Sequence, residues 1–98
     1  MAYKLRISIQ AEKDVLDAID YYDQINPFLG FRFLSELFDI YQKITHNPEQ
    51  YSYISSDKRY QFRDVKLRSF PYVVIYEVID QNIYITAVLN TYKKPFIT

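Results

Sequence analysis

The sequence predicts an α+β domain in which a helical hairpin packs on one face of a small, twisted, mainly antiparallel sheet, in the order β-α-α-β-β-β. First, residues 69–79 form the most apolar run of the chain and are rich in the β-branched and aromatic residues that favour a buried strand. Second, two earlier segments place apolar residues three and four positions apart, as amphipathic helices do. Third, Asn26-Pro27 and Asn47-Pro48 are typical helix boundaries.

The first two elements are a short strand and an acidic helix. Tyr3 to Ile9 alternates apolar and polar residues, which is the period of a strand with one buried face. From Ala11 to about residue 26 the apolar residues follow helical spacing, and aspartates dominate the other side. Ser8 and Gln10 are both imperfectly placed as N-caps, so we expect only fair capping at the start of this helix.

The second helix runs between the two Asn-Pro pairs and is the more apolar of the two. Gly30 is the only glycine of the chain, and we expect it to allow close packing of the helices. Because few residues separate the helices, they are expected to form an antiparallel hairpin. The apolar stripe of the second helix comprises Phe31, Leu34, Phe38, Tyr41 and Ile44, and it is widened by Phe33, Leu37 and Ile40.

The C-terminal half is predicted to form an antiparallel meander, preceded by a loop over residues 49–58 that includes a short edge strand. Pro71 is expected among the first residues of the central strand, where its missing N–H costs nothing. The chain after Tyr92 is expected to leave the sheet. The predicted strands run from about Tyr60 to Val65, from Ser69 to Ile79 and from Ile83 to Thr91.

Composition limits the classes of function. The 98 residues suit a single domain spanning 1–98, and the absence of cysteine excludes disulfides and thiolate metal sites. His46 is the one histidine, so we expect no metal and no cofactor. No apolar run is long enough for a signal peptide or a membrane span, and the chain is therefore expected to be cytoplasmic.

Charge is balanced in total and uneven along the chain. Residues 1–50 carry five basic and eight acidic side chains, and residues 51–98 carry seven and four, which gives −3 and +3. A net charge of zero weakens the case for nonspecific nucleic-acid binding, which depends on phosphate neutralisation. We expect four cations to gather at one end of the central strand and to meet an anionic partner; the alternative is that the two halves neutralise each other. These cations are Arg59, Arg63, Lys66 and Arg68.

Several residues together resemble the RelE/ParE superfamily of type II toxin–antitoxin toxins, and its ParE-like branch in particular. The most specific match is Arg63 seven residues ahead of Phe70-Pro71-Tyr72. The other matching residues are Ala11, Asp14-Val15, Asp20-Tyr21-Tyr22, Gly30-Phe31-Arg32-Phe33, Asn47-Pro48, Tyr51, Tyr76, Ala87-Val88-Leu89, Lys93 and Pro95.

The resemblance implies a cytoplasmic plasmid-stabilisation type of toxin that a cognate antitoxin neutralises. ParE-like members are associated with inhibition of DNA gyrase, and RelE-like members with ribosome-dependent mRNA cleavage. Phe28, Leu29, Phe96 and Ile97 near turns and termini predict exposed apolar groups that favour an antitoxin groove or a homodimer. For target or partner binding the candidates are Arg63, Arg68, Tyr92, Lys93 and Lys94.

Two alternatives to gyrase inhibition stay open. In the first, the chain is a metal-independent endoribonuclease that would use Arg59, Arg63, Arg68 and Tyr92. Asn90 counts against it, because this position is commonly histidine in the family and an amide cannot perform general acid–base catalysis. In the second, the chain is a degenerate member that binds its antitoxin and is no longer toxic.

Overall fold

The structure, a computed structural model, describes residues 2–92 and confirms the predicted α+β class and element order. The elements are β1 (Lys4–Ile7), α1 (Ile9–Ile25), α2 (Pro27–His46), a 3-10 turn (Pro48–Gln50), β2 (Arg63–Lys66), β3 (Tyr72–Ile79) and β4 (Asn82–Asn90). The strands form one sheet in the order β1-β4-β3-β2. β1 pairs with β4 in parallel, and the other two pairings are antiparallel, so the predicted meander of the last three strands is confirmed.

The start of α1 is better capped than the sequence suggests. The Ser8 side chain accepts a hydrogen bond from the backbone N–H of Ala11 at 3.0 Å, and Ser8 itself has an extended backbone. This is the geometry of an N-cap, so the helix begins at Ile9 and the expectation of only fair capping was wrong. At the other end, the Asn26 side chain accepts from the N–H of Phe28 and caps α2 directly ahead of Pro27.

Both β2 and β3 begin about three residues later than predicted, because side chains hold the preceding backbone in loops. Asp57 accepts hydrogen bonds from the N–H groups of residues 59, 61 and 62. These groups therefore cannot donate to a neighbouring strand. Glu36 does the same for the N–H groups of residues 68 and 69, at 2.6 and 3.0 Å. Pro71 was predicted among the first residues of the central strand and instead lies directly before β3.

The core lies between the helices and one face of the sheet. An aromatic cluster joins both layers, with Tyr22 of α1 and Phe33 of α2 within 4.9–6.1 Å of Phe70 and Tyr72, ring centroid to ring centroid. Gly30 is buried near the start of α2, and a Cβ there would overlap the carboxylate of Asp23, an exposed side chain near the end of α1. Because this side chain can move aside, the close packing of the helices at the glycine stays a prediction.

The apolar stripe of α2 faces two ways. Phe33, Leu37 and Ile40, which seemed only to widen the stripe, are buried against the sheet. Phe31 and Phe38, predicted to lie in the stripe, are instead 74% and 53% exposed. A helix with this much apolar circumference has a second face for another partner. None of the helices within residues 2–92 combines the length and apolar character needed to cross a bilayer.

Candidate functional site

The four cations of the central region do not form one cluster. The β2–β3 register places Arg63 opposite Tyr76 and Lys66 opposite Val73, so the two cations lie about 10 Å apart along the strand. Arg68 follows β2 and lies beyond Lys66, near Glu36 of α2. The expectation that all four gather at one end of the central strand was therefore wrong, because an antiparallel register spreads residues of one strand along its neighbour.

The guanidinium group of Arg63 is bound by other groups of the protein. Its Nη1 donates to the carbonyl oxygen of Tyr51 at 2.6 Å and lies 3.4 Å from that of Glu49. Its Cζ lies 3.9 Å from the centre of the Tyr53 ring, which is a cation–π contact. Arg63 makes no ion pair with Glu77, whose carboxylate instead accepts a hydrogen bond from the Gln61 side chain at 3.0 Å.

The loop before β2 presents Arg59 and Tyr60 to solvent. The Tyr60 backbone is left-handed, with φ 55°, and the ring is 70% exposed while its centroid lies 5.6 Å from that of Tyr53. Asp57 holds this conformation through its three backbone hydrogen bonds of 2.8–3.1 Å. The N–H of Phe62 above all, and then those of Gln61 and Arg59, lower the pKa of the Asp57 carboxyl.

These residues line a cleft of about 630 Å³ at the end of β3 and beside the loop. We call it the tyrosine–arginine cleft. Within residues 2–92 the Arg59 side chain makes no hydrogen bond or ion pair, and its charge helps to lower the pKa of the Asp57 carboxyl. Its hydrogen-bond donors can therefore bind a ligand. The lining residues are Tyr3, Glu49, Tyr53, Arg59, Tyr60, Gln61, Arg63, Glu77, Val78, Ile79 and Asp80.

The remaining predicted site residues lie elsewhere. Tyr92 is 85% exposed and follows Asn90, which pairs with Tyr72 at the opposite end of β3 from the cleft. The Asn90 side chain accepts from the N–H of Tyr92 at 2.8 Å and so stabilises the turn that ends β4. The structure thus brings Arg59 and Arg63 together and separates both from Arg68 and Tyr92. Lys93 and Lys94 lie outside the described residues.

Near the Arg68 end, Glu36 organises the turn that links β2 and β3. Burial alone would raise the pKa of this carboxyl, but hydrogen bonds from the backbone and side chain of Ser69 and from the backbone of Arg68 bring it below its usual value. Arg68 itself is exposed. Its side chain therefore remains available to a partner, at a position remote from the tyrosine–arginine cleft.

A second surface lies between the two helices and extends to Ile7 at the end of β1. We call it the helical groove; its volume is about 340 Å³ and its walls are almost entirely apolar. Leu16 is 62% exposed there, and Phe38 contributes its exposed face from α2. Sequence reasoning predicted a groove and missed these residues. The lining residues are Ile7, Glu12, Val15, Leu16, Ile19, Leu34, Leu37, Phe38 and Tyr41.

One polar atom in the helical groove has no partner. The Tyr41 hydroxyl is buried, and no hydrogen-bond partner lies within reach of it in the described residues. Burial, with a smaller contribution from the charge of Asp14, raises the pKa of Tyr41 to about 12. The group is therefore a neutral hydroxyl that costs free energy while it stays unpaired. Among residues 2–92 no cluster of three or more His, Asp or Glu side chains is placed to hold a metal ion.

Comparison with known proteins decides the family. The family model described as the ParE toxin of the type II toxin–antitoxin system parDE matches residues 5–94. The chain belongs to the ParE toxin family. This confirms the resemblance noted in the sequence and shows a ParE-type toxin of a type II toxin–antitoxin system.

The fold agrees with that assignment. A solved structure described as the chromosomal ParDE TA system from P. aeruginosa superposes with a TM-score of 0.77 at 17% identity, covering 90% of this chain and 95% of the other. At that identity the likeness concerns the fold of this ParE chain alone. Among curated proteins no sequence is similar enough to match.

The Arg63 contacts predict a structural role that Arg59 does not share. We expect Arg63→Ala to lower the free energy of unfolding by about 1.5–3 kcal/mol, since a charged hydrogen bond to a carbonyl is lost. Arg59→Ala, the matched control in the same cleft, is expected to stay within about 0.5 kcal/mol of wild type. Urea denaturation followed by circular dichroism measures both. Equal stability of the two variants would contradict the assignment of Arg63.

The Asp57 contacts predict a pH-dependent effect. A lowered folded-state pKa stabilises the protein fully above the unfolded value of about 3.9, and this stabilisation is lost as the pH falls through the folded value. Asp57→Asn is therefore expected to lower the urea midpoint at pH 7, with the gap to wild type closing below about pH 4. Asp20→Asn, at an exposed position of α1, is the control. A gap that stays constant down to pH 3 would refute the role of the carboxylate.

Proposed function

We propose that this ParE toxin is neutralised by a cognate antitoxin that lays an amphipathic helix into the helical groove, and that the released toxin inhibits DNA gyrase by binding. The observation that carries the proposal is the exposure of large apolar side chains along a groove of a folded chain. Soluble monomers rarely leave such surface uncovered, and a helix in a groove is a recurring way to cover it.

The chemistry of the groove indicates the kind of helix. Leu16 and Phe38 stand on its two sides and would contact apolar residues spaced three and four apart on the partner. Glu12 lines the groove, and the polar face of α1 carries further aspartates. Basic residues beside the apolar face of the partner helix would therefore be attracted to this surface.

The Tyr41 hydroxyl adds a specific requirement. Tyr41 lines the helical groove, and its buried hydroxyl has no hydrogen-bond partner among the described residues, so a bound helix that brings a polar side chain within reach would satisfy it. Such a contact contributes more to selectivity than to affinity, because an all-apolar partner would leave the hydroxyl unpaired. The antitoxin would thus be distinguished from other amphipathic helices.

Two features of the residues support binding over RNA cleavage. A ribonuclease needs cations and a proton-transfer group around one phosphate. Here the cleft holds Arg59 and Arg63, and Arg68 and Tyr92 lie toward the other end of the sheet. Asn90 is engaged in closing the turn after β4. We therefore assign the target contact to the exposed Arg68 and Tyr92, together with Lys93 and Lys94 of the tail.

The groove can be tested with two exposed phenylalanines on the same helix. Phe38→Ser is expected to weaken antitoxin binding by about 30-fold or more, as loss of a central apolar contact does. Phe28→Ser, at the 77% exposed tip of the hairpin and outside the groove, is the matched control and is expected to bind as wild type. Isothermal titration with the purified antitoxin measures both. Equal affinities would exclude the groove as the antitoxin site.

The target can be tested with purified gyrase and relaxed plasmid. We expect the free toxin to block supercoiling and to trap broken DNA, and we expect addition of antitoxin to restore activity. Tyr92→Ala should reduce inhibition without changing the urea midpoint, because the side chain is exposed. Unimpaired supercoiling at excess toxin would refute gyrase inhibition. Message cleavage on translating ribosomes would then favour the ribonuclease alternative, and harmless expression without antitoxin would favour the non-toxic one.

A further inference from the structure

The proposed function assigns no role to the tyrosine–arginine cleft. It combines tyrosine rings, guanidinium groups and carboxylates around about 630 Å³, a volume typical of small-ligand sites. The geometry points to a binding site for an unpaired guanine base, carried either by a free nucleotide or by a single strand. This inference is independent of the antitoxin and gyrase proposals.

The tyrosine rings supply a stacking surface. Tyr60 is 70% exposed, and its centroid lies 5.6 Å from that of Tyr53 with the planes tilted by 59°. The two rings are therefore not stacked on each other, and the Tyr60 ring keeps a face open to a ligand. Aromatic side chains bind unpaired bases through such faces whatever the base. Stacking alone would thus give affinity without selectivity.

The polar groups of the cleft match guanine in particular. Guanine presents two acceptors, O6 and N7, on one edge and donates from N2 on another. The Arg59 guanidinium makes no hydrogen bond or ion pair among residues 2–92 and suits the acceptor edge. Glu49 and Asp80 line the same cleft and suit the donor edge. Adenine has no acceptor in place of O6 and no donor at its position 2, so it meets these groups less well.

A ligand recognised through phosphate alone fits less well. The cleft contains Arg59 and Arg63 against Glu49, Glu77 and Asp80, so carboxylates outnumber guanidinium groups. Arg63 also donates to the carbonyl of Tyr51. A neutral base with donors and acceptors on adjacent edges is attracted by both kinds of group, whereas an isolated phosphate is attracted by one and repelled by the other.

The cleft is formed before any ligand arrives. The left-handed backbone at Tyr60 is uncommon for a bulky residue, and Asp57 maintains it through hydrogen bonds to the N–H groups of Arg59, Gln61 and Phe62. Strained backbone held in this way is concentrated at ligand sites. The Asp80 backbone is also left-handed, with φ 56°, but the turn between β3 and β4 accounts for it.

The test is a titration of the isotope-labelled full chain with GMP, AMP, CMP and UMP, followed by amide NMR shifts. We expect GMP to bind at least about tenfold tighter than the other three, with shifts confined to residues around the cleft. Tyr60→Ala should weaken GMP binding at least about tenfold, and Tyr60→Phe should retain it because the ring persists. Phe28→Ala, an exposed aromatic residue on the hairpin tip, is the control and should bind as wild type.

A short single strand with one guanine separates the two sources of the base. Affinity above that of GMP would assign a single-stranded nucleic acid, and affinity equal to that of GMP would assign a free nucleotide; either outcome supports the guanine site. Equal binding of all four nucleotides, shifts outside the cleft, or unchanged binding by Tyr60→Ala would overturn it. None of these measurements involves antitoxin or gyrase, so this site and the proposed function can fail separately.

Discussion

The whole arrangement depends on how the chain between α2 and β2 meets its backbone hydrogen-bonding needs. Almost no ladder hydrogen bonds are available over residues 48–62, and buried carbonyl and N–H groups are costly when unpaired. Side chains of the sheet supply partners, since the Tyr76 hydroxyl donates to the carbonyl of Pro48 at 2.6 Å and Arg63 donates to that of Tyr51. Asp57 supplies the acceptor within the loop itself. The tyrosine–arginine cleft exists because these three side chains fix an irregular segment against the end of the sheet.

Helix α2 is apolar over more of its circumference than a single contact surface requires. Phe33 packs against Tyr72 of the sheet, while Phe38 lies beside Leu16 at the helical groove. A small chain of this kind cannot bury both sides by itself, because it has too few elements to cover them. The fold therefore leaves apolar surface uncovered at the helical groove, as suits a protein that works in a complex.

Much of this fold could be predicted from periodicity and helix boundaries. The helical spacing and the Asn-Pro pairs placed both helices, and the apolar run at residues 69–79 identified an interior strand. The later starts of β2 and β3 could not be predicted, because they depend on Asp57 and Glu36 accepting hydrogen bonds from a neighbouring or distant segment. No local sequence pattern predicts which side chain will accept these backbone hydrogen bonds.

The candidate site was harder to predict, for a physical reason. The residue types show that the region around β2 is rich in arginine. Which of these cations lie close together depends on the register of the antiparallel strands, and the sequence does not give that register. A second condition is that the guanidinium group must not already be bound by other groups of the protein. Arg63 belongs to the motif that best matches the family, yet its guanidinium is held by a carbonyl oxygen and a ring. Arg59 belongs to no matched motif, yet its guanidinium makes no hydrogen bond or ion pair among residues 2–92.

Apart from Arg63, the residues of this chain that match the family are different from the residues that line the tyrosine–arginine cleft. A residue whose side chain fixes the backbone is needed for stability whatever the molecule binds, and Arg63 makes such a contact. Loop side chains that fix nothing, such as those of Arg59 and Tyr60, are free to vary with the ligand. Differences in specificity among proteins of this fold are therefore expected at the loop before β2 and along the helical groove, and much less on the strands that hold both surfaces in place.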